Sequence, residues 1–389
     1  MSLHFEISYG SLNKYEEELC GDIVEIINRD DDVIVVLADG LGSGVKANIL
    51  ASLTSKIVAS MLIESSDVRD VIETLALTLP ICEKRKVAYS TFSFIHINSF
   101  GDAHIVEYGN PNIAILRNGK ELELFRSEIE IENKVIKESY VNLKVDDMFF
   151  IFSNGVTNAG IEKSLNLGWQ RKNLVKYIEK AQIKERTPYY MQKLLLSACN
   201  SLYGNKPDDD ATVIACKIRN RNIVHILVQP PIREEDDDRI VNEFLSFHGS
   251  KVICGGSTAQ VVSRICQKEL KVLLNYITPE VPPIGYIDGI DLVTEGIVTL
   301  EKALEIIKKY ENGSLNTYNS FEGKEDGASL LVKLLINQCT GVQFIMAKER
   351  RWEGCNSNMP NYLRSKFEIV SDIVESLRFI GKDADIRHY

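Results

Sequence analysis

Three short segments place acids where they could do chemistry. Asp39 ends the apolar run of residues 33–38 and is followed at once by Gly40. Asp22 lies in "CGDIVEII", and Asp209 lies in "PDDDATVIACKI", an acidic turn that leads into a strand. Carboxylates and main-chain carbonyls are hard oxygen donors suited to Mg²⁺ or Mn²⁺. If they converge from separate strands, they could hold metal that activates water for the hydrolysis of a phosphate ester.

The glycines at positions 40, 42 and 44 do not form a known nucleotide-binding loop. A P-loop has the spacing G-x-x-x-x-G-K-[ST], and a dinucleotide-binding turn has its acid after the glycines, whereas Asp39 precedes them. An alternative role for Asp39 is to cap the helix that follows. We expect Ser43 to be a helix N-cap and not a nucleophile, because no histidine lies at a suggestive position.

Six segments, taken in order, resemble the protein phosphatase 2C superfamily, most closely its bacterial branch of stage II sporulation E (regulator-of-sigma) serine phosphatases. They are "CGD", "ADGLGSGVKA", "YSTFSF", "YGNPNIAI", "FSNGVTNAG" and "DDATVI", and they span about residues 10–218. The resemblance implies an α+β fold, a β-sandwich of two antiparallel sheets flanked by helices. It also implies hydrolysis of phosphoserine or phosphothreonine on a small regulator of the anti-sigma-antagonist kind, by a metal-activated water and without a covalent enzyme intermediate.

The resemblance also implies roles for individual residues. It makes Asp22, Asp39 and Asp209 the catalytic acids, which would bind two Mn²⁺ or Mg²⁺ ions by their carboxylates, while Gly40 would bind by its main-chain carbonyl. For the neighbouring acids of the third segment, solvated turn positions or supporting roles are favoured; these are Asp208 and Asp210.

One position departs from the family pattern. The family has Asp-Gly where this chain has Asn154-Gly155. Asn154 would keep a side-chain oxygen at this metal position but would lose a full negative charge beside a dication. The sequence therefore leaves two alternatives: a working metal-dependent phosphatase, or a weakened or inactive phosphatase-like signalling module that binds a phosphoprotein.

The elements around these acids follow from periodicity. Residues 43–63 and 66–79 form two predicted helices, the second with Ser66 as N-cap and Pro80 as its stop. In phosphatases of the resembled family these helices act as a switch; the alternative is that they are plain core helices. Alternating segments predict many strands between residues 89 and 155, with an Asn118-Gly119 hairpin turn, and a further helix is predicted at about 187–203.

From about residue 220 short apolar strands alternate with helices, which predicts an α/β domain with a mostly parallel sheet. We therefore divide the chain into an expected phosphatase domain, 1–219, and an α/β domain, 220–389, for which we expect a regulatory or ligand-sensing role. The segment "VICGGSTAQVV" offers a glycine turn and a helix N-terminus to an anionic ligand through Gly255, Gly256, Ser257 and Thr258. The alternative is a plain tight turn, with the nearby basic residues in a solvated loop; these are Lys348, Arg350 and Arg351.

Composition excludes several classes of protein. The net charge of −10 argues against nucleic acid as the main partner, and we expect no membrane span. The eight cysteines have no paired spacing that would suggest zinc, so we expect reduced thiols in a cytoplasmic protein. A homodimer is one assembly that the sequence leaves open.

Overall fold

The computed structural model describes residues 3–29, 31–64, 68–78, 81–82, 87–88, 90–131, 134–181, 186–231, 233–272, 280–312, 321, 323–347 and 365–389. The chain divides into two compact units, Met1–Asn220 and Arg221–Tyr389. Ser66, Pro80, Lys348, Arg350 and Arg351, to which the sequence assigns roles, lie outside the described residues.

The described part of the N-terminal unit contains thirteen strands. They are β1 (Leu3–Leu12), β2 (Asp22–Asn28), β3 (Asp32–Gly40), β4 (Ile81–Cys82), β5 (Val87–Ala88), β6 (Ser90–Asn98), β7 (Asp102–Tyr108), β8 (Ala114–Arg117), β9 (Lys120–Glu121), β10 (Ser127–Ile131), β11 (Lys134–Asn142), β12 (Met148–Phe152) and β13 (Ala211–Asn220). Its described helices are α1 (Gly44–Ile63), α2 (Val68–Thr78), α3 (Asn154–Asn158), α4 (Arg171–Lys180) and α5 (Pro188–Leu202).

Two antiparallel sheets form the centre of this unit, in the orders β1-β13-β12-β8-β9 and β10-β11-β7-β6-β3-β2, with β4 and β5 as a separate pair. Strand β3 is covered on both faces, because every one of its residues from Val33 to Ala38 is buried. Val33, Val35 and Leu37 contact side chains of the other sheet, whereas Ile34 and Val36 face α1 and α2. Helices α3, α4 and α5 cover the outer face of the five-stranded sheet. The predicted sandwich flanked by helices is the observed arrangement.

Helix α1 packs largely by the stripe that its periodicity predicts, since Leu50, Val58 and Leu62 of that stripe are buried. Leu53 belongs to the same predicted stripe, but its side chain is 51% exposed. Small residues such as Ala47 and Ala51 are also buried, and they let the helix lie close to the sheet. By length and composition alone α1 could cross a membrane. Nearly half of that apolar stretch is buried inside the N-terminal unit, as in the core helix of a globular domain.

The C-terminal unit contains seven described strands: β14 (Ile223–Leu227), β15 (Ser250–Cys254), β16 (Lys271–Val272), β17 (Gly285–Tyr286), β18 (Leu292–Thr294), β19 (Gly341–Met346) and β20 (Asp383–His388). Its described helices are α6 (Asp237–Ser246), α7 (Gly256–Cys266), α8 (Ile297–Glu311), α9 (Gly327–Lys333) and α10 (Lys366–Phe379), with a 3₁₀ turn at Glu234–Asp236 and a π-helical turn at Leu334–Gln338.

These strands form one sheet in the order β16-β17-β18-β15-β14-β19-β20. The five strands from β18 to β20 are parallel to their neighbours, as the alternation of strands and helices predicts. The edge formed by β16 and β17 is antiparallel, so the sheet is mixed and the prediction is only partly confirmed. Because these five strands are parallel, the carboxyl ends of β14, β15 and β18 lie along one edge of the sheet.

Candidate metal centre

Two of the predicted acids face each other directly. Strands β2 and β3 are antiparallel, and their register places Asp22 opposite Asp39. Gly40 Nα donates to the carbonyl oxygen of Gly21 at 3.0 Å, which fixes the ends of the two strands together. Asp22 is only 5% exposed. The adjacent strand ends therefore gather two carboxylates at one edge of the sandwich.

Each of these acids has one oxygen that lacks a partner. Among the described residues, Asp22 Oδ2 and Asp39 Oδ2 are buried and accept no hydrogen bond. Burial raises the pKa of Asp22 to about 7, whereas hydrogen bonds from Thr212 and Ser153 oppose the rise. Burial, and then the negative charge of Asp22, raise the pKa of Asp39 well above its usual range. Buried carboxylates with unpartnered oxygens are unfavourable unless a cation neutralises them.

Asp209 and Asp210 have different roles at the start of β13. Asp209 is partly buried, its pKa is raised by burial, and its charge acts on both Asp22 and Asp39. Asp210 is buried and accepts the main-chain N–H groups of Lys14 and Gly21, each at 2.9 Å. Asp210 therefore fixes the segment that leads into β2, which is one of the two roles that the sequence leaves open for it.

Asp208 is a solvated turn residue, which is the other role that the sequence leaves open for these acids. Its side chain is 59% exposed and forms an ion pair with Lys163, with 2.8 Å between Lys163 Nζ and Asp208 Oδ1. This carboxylate lies in solvent at the turn. The three consecutive acids thus divide into a solvated residue, a residue of the acidic cluster and a structural residue.

Asn154 begins α3, directly after β12 and Ser153. Its main-chain N–H lies close enough to the carboxylate of Asp39 to lower the pKa of that acid. The close packing here requires Gly155, because a Cβ at that position would lie 2.0 Å from the carbonyl oxygen of Asp210. The position at which the sequence departs from the family pattern is therefore adjacent to the acid pair.

Gly40 is likewise constrained by packing. A Cβ at Gly40 would lie 2.1 Å from the carbonyl oxygen of Ala47 in α1. The helix begins at Gly44, so Asp39 does not cap it and that alternative is wrong. Ser43 occupies the N-cap position but makes no capping hydrogen bond. Its hydroxyl donates to Glu17 Oε1 at 3.1 Å and accepts from Lys14 Nζ at 3.2 Å.

Sequence reasoning does not assign the residues that orient Asp22. Ser153 Oγ accepts the main-chain N–H of Thr212 at 2.9 Å, and the hydroxyls of both residues lower the pKa of Asp22. Thr212 Oγ1 also lies 2.7 Å from Ser11 Oγ. Ser153 and Thr212 belong to the quoted segments "FSNGVTNAG" and "DDATVI". The segments therefore contain these residues, but the sequence does not show that they act on Asp22.

The fit of this cluster to a metal rests on its donors. Within the part of the chain that the structure describes, no three His, Cys, Asp or Glu side chains already converge as a metal-binding group. Asp22 is turned toward Ser153 and Thr212, and Asp209 Oδ1 accepts its neighbour's main-chain N–H at 3.0 Å. Like-charged carboxylates repel without a cation, so they find separate partners. The donor set and the unpartnered Oδ2 atoms fit a hard divalent cation.

The predicted ligand-binding segment lies in the C-terminal unit. Gly255 is the N-cap of α7 with a φ of 142°, and Gly256, Ser257 and Thr258 form the first turn of that helix. Gly255 Nα donates to the carbonyl oxygen of Thr294 at 2.9 Å. The segment therefore lies at the carboxyl ends of β15 and β18, as the sequence predicts for a parallel sheet.

Comparison with known proteins identifies only the N-terminal part. The family model described as Stage II sporulation protein E (SpoIIE) matches residues 29–219. No curated protein matches this chain.

Several solved structures are similar to this chain at low identity. The phosphatase domain of SpoIIE from Bacillus subtilis is 17% identical with a TM-score of 0.45, and the similarity covers 56% of this chain and 94% of that one. RsbX, solved in complex with magnesium, is 20% identical with a TM-score of 0.39, over 55% of this chain and 96% of that one. The RsbU and RsbW domains of a Mycobacterium tuberculosis protein are 13% identical with a TM-score of 0.47, over 62% and 69%.

Proposed function

We propose that this chain, whose residues 29–219 match the SpoIIE family model, is a metal-dependent protein serine/threonine phosphatase. The observation that carries the proposal is the opposed pair of Asp22, which is buried, and Asp39, which is half-buried, each with a buried oxygen that has no partner among the described residues. Such an arrangement costs free energy in a folded protein unless a cation is bound there. An arrangement that destabilises the fold is typical of a functional site.

The residues that would hold metal are Asp22, Asp39, Asp209 and the main-chain carbonyl of Gly40. Bound Mn²⁺ or Mg²⁺ would supply the positive charge that neutralises these oxygens and the acidity that makes water a nucleophile near neutral pH. We infer two ions from the family resemblance. Asn154 would contribute a neutral oxygen beside Asp39, so we expect one of the two positions to bind weakly.

The chain's own residues prepare this site. The hydroxyls of Ser153 and Thr212 lie close enough to the carboxylate of Asp22 to lower its pKa. Asp210 fixes the chain before β2 through its bonds to Lys14 and Gly21. The charge of Lys14 also acts on Asp209, which places a cation where a phosphate dianion would approach. The fixed main chain thereby reduces the reorganisation that substrate binding requires.

We extend the proposal to the substrate and its setting. By the family resemblance the substrate is a phosphoserine or phosphothreonine of a small bacterial signalling protein of the anti-sigma-antagonist kind, and the reaction takes place in the cytoplasm. A second candidate function is a phosphatase-like module that binds a phosphoprotein without turning it over. The neutral Asn154 next to Asp39 favours this second candidate.

The experiment is hydrolysis of an aryl phosphate and of a phosphoserine peptide across a Mn²⁺ titration. We expect Mn²⁺-dependent turnover in the wild type and its loss in Asp39→Asn. The matched control is Asp102→Asn, which removes an exposed carboxylate at the start of β7 and should leave turnover unchanged. Equal turnover in Asp39→Asn would contradict the proposal. Binding of the peptide without turnover at any Mn²⁺ concentration would support the second candidate.

A further inference from the structure

Three helices of the C-terminal unit begin at the same edge of its sheet. Strands β15 and β18 end at Cys254 and Thr294, and the helices α7 and α8 begin two and three residues later. Helix α10 begins at Lys366, whose Nζ donates to the carbonyl oxygen of Val228 at 3.3 Å, directly after β14. Helix N-termini carry partial positive charge and unsatisfied N–H groups. This edge is therefore electropositive and rich in donors.

A buried hydroxyl at this edge has no partner. Thr258 is fully buried, and its Oγ1 makes no hydrogen bond to the described residues. The hydroxyl points back to the glycine turn, since a Cβ at Gly255 would lie 2.9 Å from Oγ1. No side chain of the described residues caps the N-terminus of helix α7. The N–H groups of its first turn lie beside this hydroxyl because Thr258 belongs to that turn. An unpartnered buried hydroxyl destabilises a folded protein, and a bound acceptor would remove that cost.

A lysine from a distant part of the chain completes the cluster. Beta-carbon atoms placed on Gly255 and Gly296 would lie 3.6 Å and 3.1 Å from Lys366 Nζ. The ammonium group therefore lies over two residues without side chains, close to the Thr258 hydroxyl. The exposed Glu295 follows β18 at the same edge, where solvent screens its charge.

We propose that the C-terminal unit binds the phosphate group of a small phosphorylated molecule at Gly255, Gly256, Ser257 and Thr258, with Lys366 as its counter-charge. Free N–H groups of α7 and the Thr258 hydroxyl donate to the phosphate oxygens. The absence of side chains at the two glycines lets the anion approach the main chain closely. This assignment is independent of catalysis by the N-terminal unit.

The test measures binding to the full chain in EDTA, so that the acidic cluster carries no metal. The probes are inorganic phosphate and AMP, followed by isothermal titration calorimetry and by the thermal midpoint, with NaCl at equal ionic strength as the reference. We expect saturable binding of AMP and a higher midpoint. Lys366→Met should weaken binding about tenfold or more, since it removes a charge-assisted hydrogen bond.

Two further variants sharpen the test. A side chain at Gly256 has open space, with nothing within 4 Å of its Cβ position, so Gly256→Leu should fold normally and cover the first turn of α7. We expect this variant to lose binding. Lys333→Met is the matched control, because Lys333 Nζ also donates to a main-chain carbonyl, that of Lys324 at 2.7 Å; it should bind AMP as the wild type does.

Three results with AMP would overturn the assignment. They are the absence of saturable AMP binding above the NaCl reference, wild-type affinity in Lys366→Met, and wild-type affinity in Gly256→Leu. Binding of inorganic phosphate without AMP would overturn the assignment to a phosphate ester, since it would assign the site to the free ion. The unliganded thermal midpoints of both variants show whether they are folded, so a loss of binding is attributable to the site.

Discussion

The main-chain N–H of Asn154 lies close enough to the carboxylate of Asp39 to lower the pKa of that acid. Helix α3, which directly follows β12 of the five-stranded sheet, therefore begins beside the acid pair at the end of the six-stranded sheet. The side chain at position 154 thus arises directly beside Asp39. Whether this side chain carries a charge should therefore affect metal binding at the site.

We expect Asn154→Asp to tighten Mn²⁺ binding and to raise turnover at low Mn²⁺. A unit charge near a dication contributes a few kcal/mol even at an effective dielectric of about 20, so an affinity gain of roughly tenfold to a hundredfold is expected. The measurement is the Mn²⁺ concentration at half-maximal hydrolysis. Asn158→Asp is the control, because it adds the same charge at the exposed far end of α3. An equal effect of both variants would contradict a local role for position 154.

Removal of one buried charge should stabilise the metal-free protein. In EDTA, Asp22→Asn is expected to raise the free energy of unfolding by about 2 kcal/mol, because Asp22 is buried opposite another acid without a counter-ion. Added Mn²⁺ should stabilise the wild type and not the variant. Urea unfolding with and without Mn²⁺ measures both effects. Asp208→Asn, at an exposed position, should change neither, and a loss of stability in Asp22→Asn would refute this account.

Asp210 should prove structural. Asp210→Ala removes the acceptor for two main-chain N–H groups, those of Lys14 and Gly21, and we expect a loss of about 2–5 kcal/mol in unfolding free energy. Mn²⁺ affinity should fall as well, because Gly21 precedes Asp22. Chemical denaturation and a Mn²⁺ titration of the folded fraction separate the two effects. Asp208→Ala, next in the chain but solvated, should be nearly neutral; comparable losses in both variants would show that Asp210 has no special role.

An ion pair on β3 gives a pH dependence of stability. The hydrogen bond from Arg29, and then that from His96, lower the pKa of Asp32. A lowered native pKa means that the carboxylate contributes stability above its unfolded-state pKa of about 3.9, and that this contribution is lost as the pH falls through the native value. We therefore expect Arg29→Met to cost up to about 1 kcal/mol at pH 7.

The same substitution should cost less in acid. Once Asp32 is protonated in both proteins, the difference in unfolding free energy between wild type and Arg29→Met should shrink. The part that remains is due to Arg29 Nη1, which donates to the carbonyl oxygen of Ile63 at 3.1 Å. Urea unfolding at pH 7 and near pH 3 tests the sign. A gap that widens in acid would mean that Arg29 acts on another group.

The sequence by itself determined most of the elements and the segments that carry the acids. Apolar runs such as 33–38 specify strands buried on both faces, and the Asn118-Gly119 turn joins β8 and β9 with positive φ at both residues, as predicted. The order of residues within a short segment is enough to predict these strands and turns, because hydrophobic periodicity and the residue preferences of turns act over a few residues. The acid-bearing segments follow from residue type in the same way.

Only the tertiary structure decided which groups meet. Leu53 of α1 lies on the predicted apolar stripe but faces outward, whereas the helix approaches the sheet closely through its small residues. Asp210 binds the main chain of Lys14, and Lys366 approaches Gly255, although each pair is far apart in sequence. Such contacts depend on how strands and helices pack against one another, and no local pattern encodes that. The sequence thus supplied the donors, and the fold decided their partners.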